Sequence, residues 1–197
     1  LALAGDNTNL RLALDELYKQ FKDAPVLGSL INPEASLGKG SLFELKWEEV
    51  GPLLTKALSG EKSDERLEMG VVAKGVSRAA SLLVGKYKWI ITNVPYLGMK
   101  RMTLYLYEFC ERYFPKSKAD LATVFLERWI GGSDCGANIS MVMPQNWLFL
   151  GSYKHFRAEL LKKQTLNFAA LLGSGAFETI SGEVVKATLF SLTVKAP

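Results

Sequence analysis

The sequence predicts an α/β fold built on a mostly parallel sheet. Two observations carry this. The apolar run Tyr87–Thr92 is continuous rather than alternating, as in a strand covered on both faces of a parallel sheet. Beyond it, strand-like segments at Asn138–Met143, Leu166–Leu172 and Lys186–Val194 alternate with helix-like segments, the order that builds α/β layers. The first run ends in Asn93-Val94-Pro95-Tyr96-Leu97-Gly98. A polar amide, a rigid turn and an aromatic ring therefore stand at the carboxyl end of a strand, where open α/β sheets bind their ligands.

The elements follow in order. Asn7 or Thr8 can cap a helix with Leu10, Leu14, Leu17, Tyr18 and Phe21 at helical spacing, which Asp23-Ala24-Pro25 ends. Val26–Ile31 reads as a short strand. Asn32–Lys46, rich in Gly, Ser and Pro, reads as a loop. Its Gly38-Lys39-Gly40-Ser41 lacks the full phosphate-loop spacing and is read as plain loop. Trp47–Leu58 and Asp64–Leu83 are expected helices, the second with room for a bend at Gly70 and Gly75 and with Lys74 and Arg78 on a solvated face. Met99–Tyr113 is helical, and its stripe of Tyr105, Tyr107, Phe109 and Tyr113 is expected in the core. Pro115 breaks the chain, and a helix starts at Ser117 or Ala119 and runs to Trp129. Residues 131–136 form a turn and Gln145–Phe149 a turn or short helix. Ser152–Lys163 is an amphipathic helix with Phe156, Leu160 and Leu161 inward.

Composition sets the bounds. The 197 residues suffice for one sizeable domain, and 48% hydrophobic with 22% charged residues is ordinary for a soluble globular chain. The net charge of +4, from 24 basic and 20 acidic residues, permits contact with nucleic-acid phosphates without demanding it. Cys110 and Cys135 have no metal-ligand spacing and His155 is the only histidine, so a metal site is not expected. Cys110 reads as core and Cys135 as loop, with no disulfide. No apolar run is long enough for a membrane span and no signal-peptide pattern occurs, so a cytoplasmic location is expected.

The corner at Asn93 suits one chemistry: attack by a planar exocyclic amine. The lone pair of such an amine is delocalised into its ring, so the nitrogen is a poor nucleophile. Two acceptors aimed at its two hydrogens favour the pyramidal, nucleophilic form. The Asn93 side-chain oxygen can be one and the Val94 backbone carbonyl the other. Pro95 holds the turn and biases Val94 to an extended conformation. Tyr96 offers a flat face for a base, a contact worth roughly 1–3 kcal/mol. Neither a metal nor a general base is needed beside a sulfonium methyl donor.

Asn93-Val94-Pro95-Tyr96 resembles the Asn-Pro-Pro-Tyr signature of amino-group methyltransferases that use S-adenosylmethionine. The wider resemblance is to adenine-specific DNA methyltransferases of restriction–modification and phage-defence systems, most closely the PglX-like enzymes of BREX systems. Three further stretches carry it. Lys116-Ser117-Lys118-Ala119-Asp120-Leu121 with Phe125-Leu126-Glu127-Arg128 resembles the family's helix after the signature. Met141-Val142-Met143-Pro144-Gln145-Asn146-Trp147-Leu148 resembles its next strand and turn. Leu171-Leu172-Gly173-Ser174-Gly175-Ala176-Phe177 with Gly182-Glu183-Val184-Val185 resembles the segment that sets a second aromatic against a flipped-out base, which by position is Phe177. The resemblance spans about residues 10–195 and is strongest from 87 onward. Val94 departs from the signature, standing where the family has its first proline, but it keeps the backbone carbonyl.

The resemblance implies a partial Rossmann-like class I methyltransferase fold: a mostly parallel sheet whose final strand is antiparallel. Its first strands are expected to lie outside the chain. It implies catalytic roles for Asn93, Val94, Pro95 and Tyr96, base stacking by Tyr96 and Phe177, S-adenosylmethionine as cofactor, and double-stranded DNA and other defence-system subunits as partners. Lys100 and Arg101, just past the corner, can meet DNA phosphates or remain solvated charge. Ser29–Asn32 receives no cofactor role, because it lacks an acidic side chain. No strand, glycine turn and ribose-binding acid precede Asn93. The chain 1–197 is therefore expected to be a single domain, the catalytic half of a methyltransferase domain, with the cofactor glycine loop and the target-recognition region outside it and no activity alone. A permuted order using Gly173-Ser174-Gly175 is disfavoured, since no helix pattern follows Gly175. Three readings stay open: DNA adenine methylation, methylation of a protein glutamine or an RNA base, and a non-catalytic DNA-binding or assembly module of a defence complex.

Overall fold

The computed structural model describes residues 8–33, 64–173 and 186–195. The chain divides into two compact units, 1–85 and 86–197. The expected loop at 34–46 and helix at Trp47–Leu58, Gly38–Ser41 among them, lie outside the described residues, as does Phe177.

In the first unit, α1 (Thr8–Lys22) follows the predicted spacing, with Lys19 and Lys22 in its last turn, where cations favour the helix dipole. Leu17 is buried, but Tyr18, expected inward, is exposed. The expected strand at Val26–Ile31 is instead α2 (Ala24–Leu27) followed by a 3-10 turn, Gly28–Leu30. Pro25 lies in the first turn of α2, where its fixed φ and missing N–H suit a helix start rather than a stop. Gly28 has φ +52°, and its N–H closes on the Ala24 carbonyl. The long helix α3 (Asp64–Val84) runs through both glycines and contacts α1. Its Ala80 and Ser77 are buried while Lys74 and Arg78 are exposed, as the solvated-face reading expects.

Among the described residues, the second unit holds a four-stranded sheet in the order β1 (Trp89–Asn93), β2 (Asn138–Pro144), β4 (Ala187–Thr193), β3 (Thr165–Gly173). β1 and β2 pair in parallel, while β4 pairs antiparallel with both β2 and β3. Three strands thus share one direction and the last strand in sequence lies reversed between two of them, as the resemblance implies. Between the strands come α4 (Leu104–Tyr113), α5 (Leu121–Gly131) and α6 (Lys154–Lys163).

Alternation of side chains divides the sheet into two faces. Ile90, Ile139, Met141, Met143, Phe190 and Leu192 are buried on one face, which α5 contacts through β2. Trp147 meets the ring of Phe190 edge-on at 5.0 Å and that of Phe156 at 6.1 Å, joining α6 to the sheet. The opposite face carries a polar ladder across three strands. Ser140 donates to Ser191 at 3.0 Å, Thr193 to Asn138 at 2.8 Å, and Asn167 to Thr193 at 3.1 Å.

Four sequence expectations differ from this structure. The Tyr87–Thr92 run is not a fully covered central strand: β1 is an edge of the described sheet, and Ile91 is 80% exposed on the face that carries the polar ladder. The aromatic stripe of α4 is not core, since Tyr105 and Tyr113 are exposed; Leu106 and Cys110 are the residues that point inward. Leu161 is exposed, leaving Phe156 and Leu160 to anchor α6. The helix expected from Ser117 or Ala119 begins later, at Leu121, with Asp120 as its cap.

Candidate active site

Asn93 is the last residue of β1, in register with Val142 of β2, and its side chain is exposed. The chain then turns. Val94 is buried and anchors the turn, Pro95 is exposed, and Tyr96 is half-buried. The Tyr96 hydroxyl donates to the Asn93 side-chain oxygen at 3.2 Å, so the structure brings the predicted acceptor and the predicted stacking ring together. Lys100 and Arg101 stand exposed in a 3-10 turn, Met99–Arg101, directly after this corner.

What holds the turn lies some twenty residues downstream. Leu121 N–H donates to the Leu97 carbonyl at 3.0 Å, and Met99 N–H donates to the Ala119 carbonyl at 3.0 Å. Gly98 and Asp120 form an isolated antiparallel bridge. The Asp120 carboxylate accepts from the Ala122 N–H at 2.9 Å, capping α5. A carboxylate in this position compensates unpaired N–H groups of the first helical turn and complements its dipole. Burial raises the Asp120 carboxyl above its usual range, and the Ala122 amide bond opposes this. Burial, and secondarily the Asp120 charge, raises the Tyr96 hydroxyl. The same two causes push Tyr153, in the turn before α6, up to about 12.

Asp120 and Tyr153 were absent from the predicted site. A signal for Asp120 existed, an aspartate immediately before an apolar helical run, but as a cap it says nothing about a distant turn. Cys110 is fully buried and burial raises its thiol to about 11, while Cys135 is exposed; both are free. No group of three metal-ligating side chains occurs among the described residues, and no helix among them is long and apolar enough to cross a membrane. The corner thus sets the Asn93 amide beside the Tyr96 ring at the carboxyl end of β1.

Comparison with known proteins bears on this geometry. Residues 11–176 match the family of the Eco57I restriction-modification methylase. The chain is 32% identical over 178 residues to the adenine-specific methyltransferase PglX of Lacticaseibacillus casei (strain Zhang), covering 90% of this chain and 14% of that protein. It is 38% identical over 109 residues to the adenine-specific methyltransferase BrxX of Escherichia coli O9:H4 (strain HS), covering 55% of this chain and 9% of that protein. The chain thus spans only a small part of the length of these relatives. Among solved structures, a type I restriction–modification assembly matches 74% of this chain and 36% of its own at 18% identity and a TM-score of 0.45. The type IIL restriction-modification enzyme MmeI in complex with DNA matches 98% of this chain and 37% of its own at 15% identity and a TM-score of 0.45. The family match spans most of the sequence and includes the Asn93 corner: this chain belongs to the Eco57I restriction-modification methylase family.

Proposed function

We propose that the protein carrying this chain transfers a methyl group from S-adenosylmethionine to the exocyclic amino nitrogen of a flipped-out adenine in double-stranded DNA, in restriction–modification or phage defence. The observation that carries the reading is the union of Asn93 and Tyr96 at the carboxyl end of β1, within a matched methylase family. S-adenosylmethionine supplies an electrophilic methyl group. Asn93 Oδ1 and the Val94 carbonyl accept the two amine hydrogens and turn the nitrogen lone pair outward, Pro95 keeps the turn stiff, and the Tyr96 ring receives the base. The nitrogen–carbon bond forms as the carbon–sulfur bond breaks, and the surplus amine proton leaves to solvent.

Phe177 is the proposed second stacking ring. Its connection leaves β3 at Gly173 and returns at Ala187, and Ala187 is in register with Pro144 at the end of β2. That is the sheet edge where β1 also ends. Lys100 and Arg101 are proposed to meet phosphates of the strand beside the extruded base. The described residues show no strand followed by a glycine turn and an acidic partner, so cofactor contacts are assigned to none of them. The Asn93→Ala variant of the natural protein, assayed with duplex DNA, RNA and a glutamine-bearing protein, tests the reading. Methylation of adenine in duplex DNA by the wild type, falling about 10²–10³-fold in the variant, is expected. Full activity in Asn93→Ala refutes the role, and methylation confined to RNA or protein refutes the substrate.

A further inference from the structure

We propose that Phe149 and Leu150 form an apolar wedge that enters the base stack of duplex DNA beside the extruded adenine and fills the gap it leaves. The inference deepens the methyl-transfer reading and rests on it for the DNA, though not for the geometry of the pair. Asn93 is in register with Val142, so β2 runs on to Pro144 one strand spacing, about 4.8 Å, from the strand that ends in the acceptor corner. The loop 145–153 leaves that end of β2, on the same edge of the sheet as Asn93. Within the loop, two large apolar side chains are turned outward. Trp147 and Tyr153 are buried, whereas Phe149 between them is 62% exposed and Leu150 51%.

Hydrogen bonds hold the pair in this pose. The Phe149 and Leu150 N–H groups both donate to the Asn146 carbonyl, at 3.1 and 2.9 Å, and the Tyr153 N–H donates to the Leu150 carbonyl at 3.2 Å. Arg157 Nη1, from α6, donates to the Trp147 and Leu150 carbonyls, each at 2.7 Å, and so braces the loop on either side of Phe149. A preorganised apolar edge loses little freedom when it meets its target, and Phe and Leu are among the side chains that enter base steps. Charge around the pair points to nucleic acid. Residues 94–107, after β1, and 144–158, after β2, contain no aspartate or glutamate but hold Lys100, Arg101, Lys154 and Arg157. Lys186, whose carbonyl accepts from the Gln145 N–H at 2.9 Å, adds an exposed cation at the same edge. The Asp120 carboxylate is turned to the cap of its own helix. Apolar side chains framed by cations suit stacked bases flanked by phosphates. An apolar protein surface would explain the pair but not the cations.

The test compares the natural protein with its Phe149→Ala/Leu150→Ala double variant and with Phe149→Leu. Methyl transfer is measured on a duplex whose target adenine faces thymine, and on the same duplex with an abasic site opposite the adenine, where less pairing has to be broken. For the double variant, kcat/KM is expected to fall about 10- to 100-fold on the paired duplex and to stay within about threefold of wild type on the abasic one, with Phe149→Leu near wild type on both. Equal losses on the two duplexes, or no loss on either, overturn the wedge. Unstacking is read separately, and without methylation, from the fluorescence of a mixed-sequence duplex pool carrying 2-aminopurine in place of adenine. A rise with the wild type that the double variant lacks supports the wedge. A rise of equal size in the double variant overturns it, and a shift in that variant's elution volume would then assign the pair to a protein contact. If the wild type methylates no adenine, the methyl-transfer reading fails while the fluorescence still decides the wedge: a rise lost in the double variant supports it, and no rise with the wild type overturns it.

Discussion

On the proposed reading Tyr96 joins two functions in one side chain, and two substitutions separate them. Its ring offers the stacking face, worth about 1–3 kcal/mol for a base. Its hydroxyl donates a hydrogen bond to Asn93 at 3.2 Å, at the long end for an O–H donor and between exposed groups. Such a bond sits at the weak end of the net range, about 0.5–1 kcal/mol. Asn93 Oδ1 has two lone pairs, so an incoming amine does not have to displace the hydroxyl. Tyr96→Phe removes only the weaker term, and kcat/KM for methylation of a duplex with one target adenine is expected to change by no more than about fivefold. Tyr96→Ala removes both, and the expected loss is about 5- to 150-fold or somewhat more, dominated by the ring. Equal losses in the two variants would refute the division, since the hydroxyl would then carry the effect. Wild-type activity in Tyr96→Ala would remove stacking from the site altogether.

The other predictions concern stability. Trp147→Ala empties the junction between α6 and the sheet, where the ring meets Phe190 and Phe156, and is expected to cost about 3–5 kcal/mol in urea unfolding. A loss under 1 kcal/mol would show that this junction is not part of the cooperative core. Glu159 is held down to about 2 by hydrogen bonds from Lys116 and Lys163. A carboxyl lowered on folding contributes stability above its ordinary value near 4.5, and that contribution disappears as pH falls towards about 2. Glu159→Gln should flatten this part of the stability profile, measured by thermal unfolding between those pH values. An unchanged profile would mean that the exposed trio contributes nothing.

How legible the molecule was depended on how local each signal was. Asn93-Val94-Pro95-Tyr96 is contiguous, and a strand end followed by a proline turn needs no distant partner to be read. The strands at 138–144, 165–173 and 187–193 were readable because their apolar runs are bounded by turn residues. Pro25 misled because proline both ends one helix and starts the next, and only the cap distinguishes them. The run at 87–92 has the composition of a strand covered on both faces, whereas in the described residues β1 is an edge with Ile91 open; composition records what a strand is suited to, not what stands beside it here. The α4 aromatics fell outside the core because a ten-residue helix buries one narrow stripe, which Leu106 and Cys110 already fill. Asp120 lay outside the candidate site because Gly98, its partner in the backbone bridge, is far away in sequence, which no local pattern reports.

The placement of β4 has a consequence for how the protein is made. A ribosome releases β3 before the only described strand that pairs with it, since β4 comes last and inserts between β2 and β3. At ordinary elongation rates of about 5–20 residues per second, β3 waits for seconds beside a nascent sheet it cannot join. During that interval Leu166, Phe168, Leu171 and Leu172, which stay largely exposed even in the finished strand, are open to any passing edge. Pairing of the four described strands thus waits for β4. A chain interrupted before Ala187 leaves β3 with no strand to hold it, and the connection bearing Phe177 has nothing to return to.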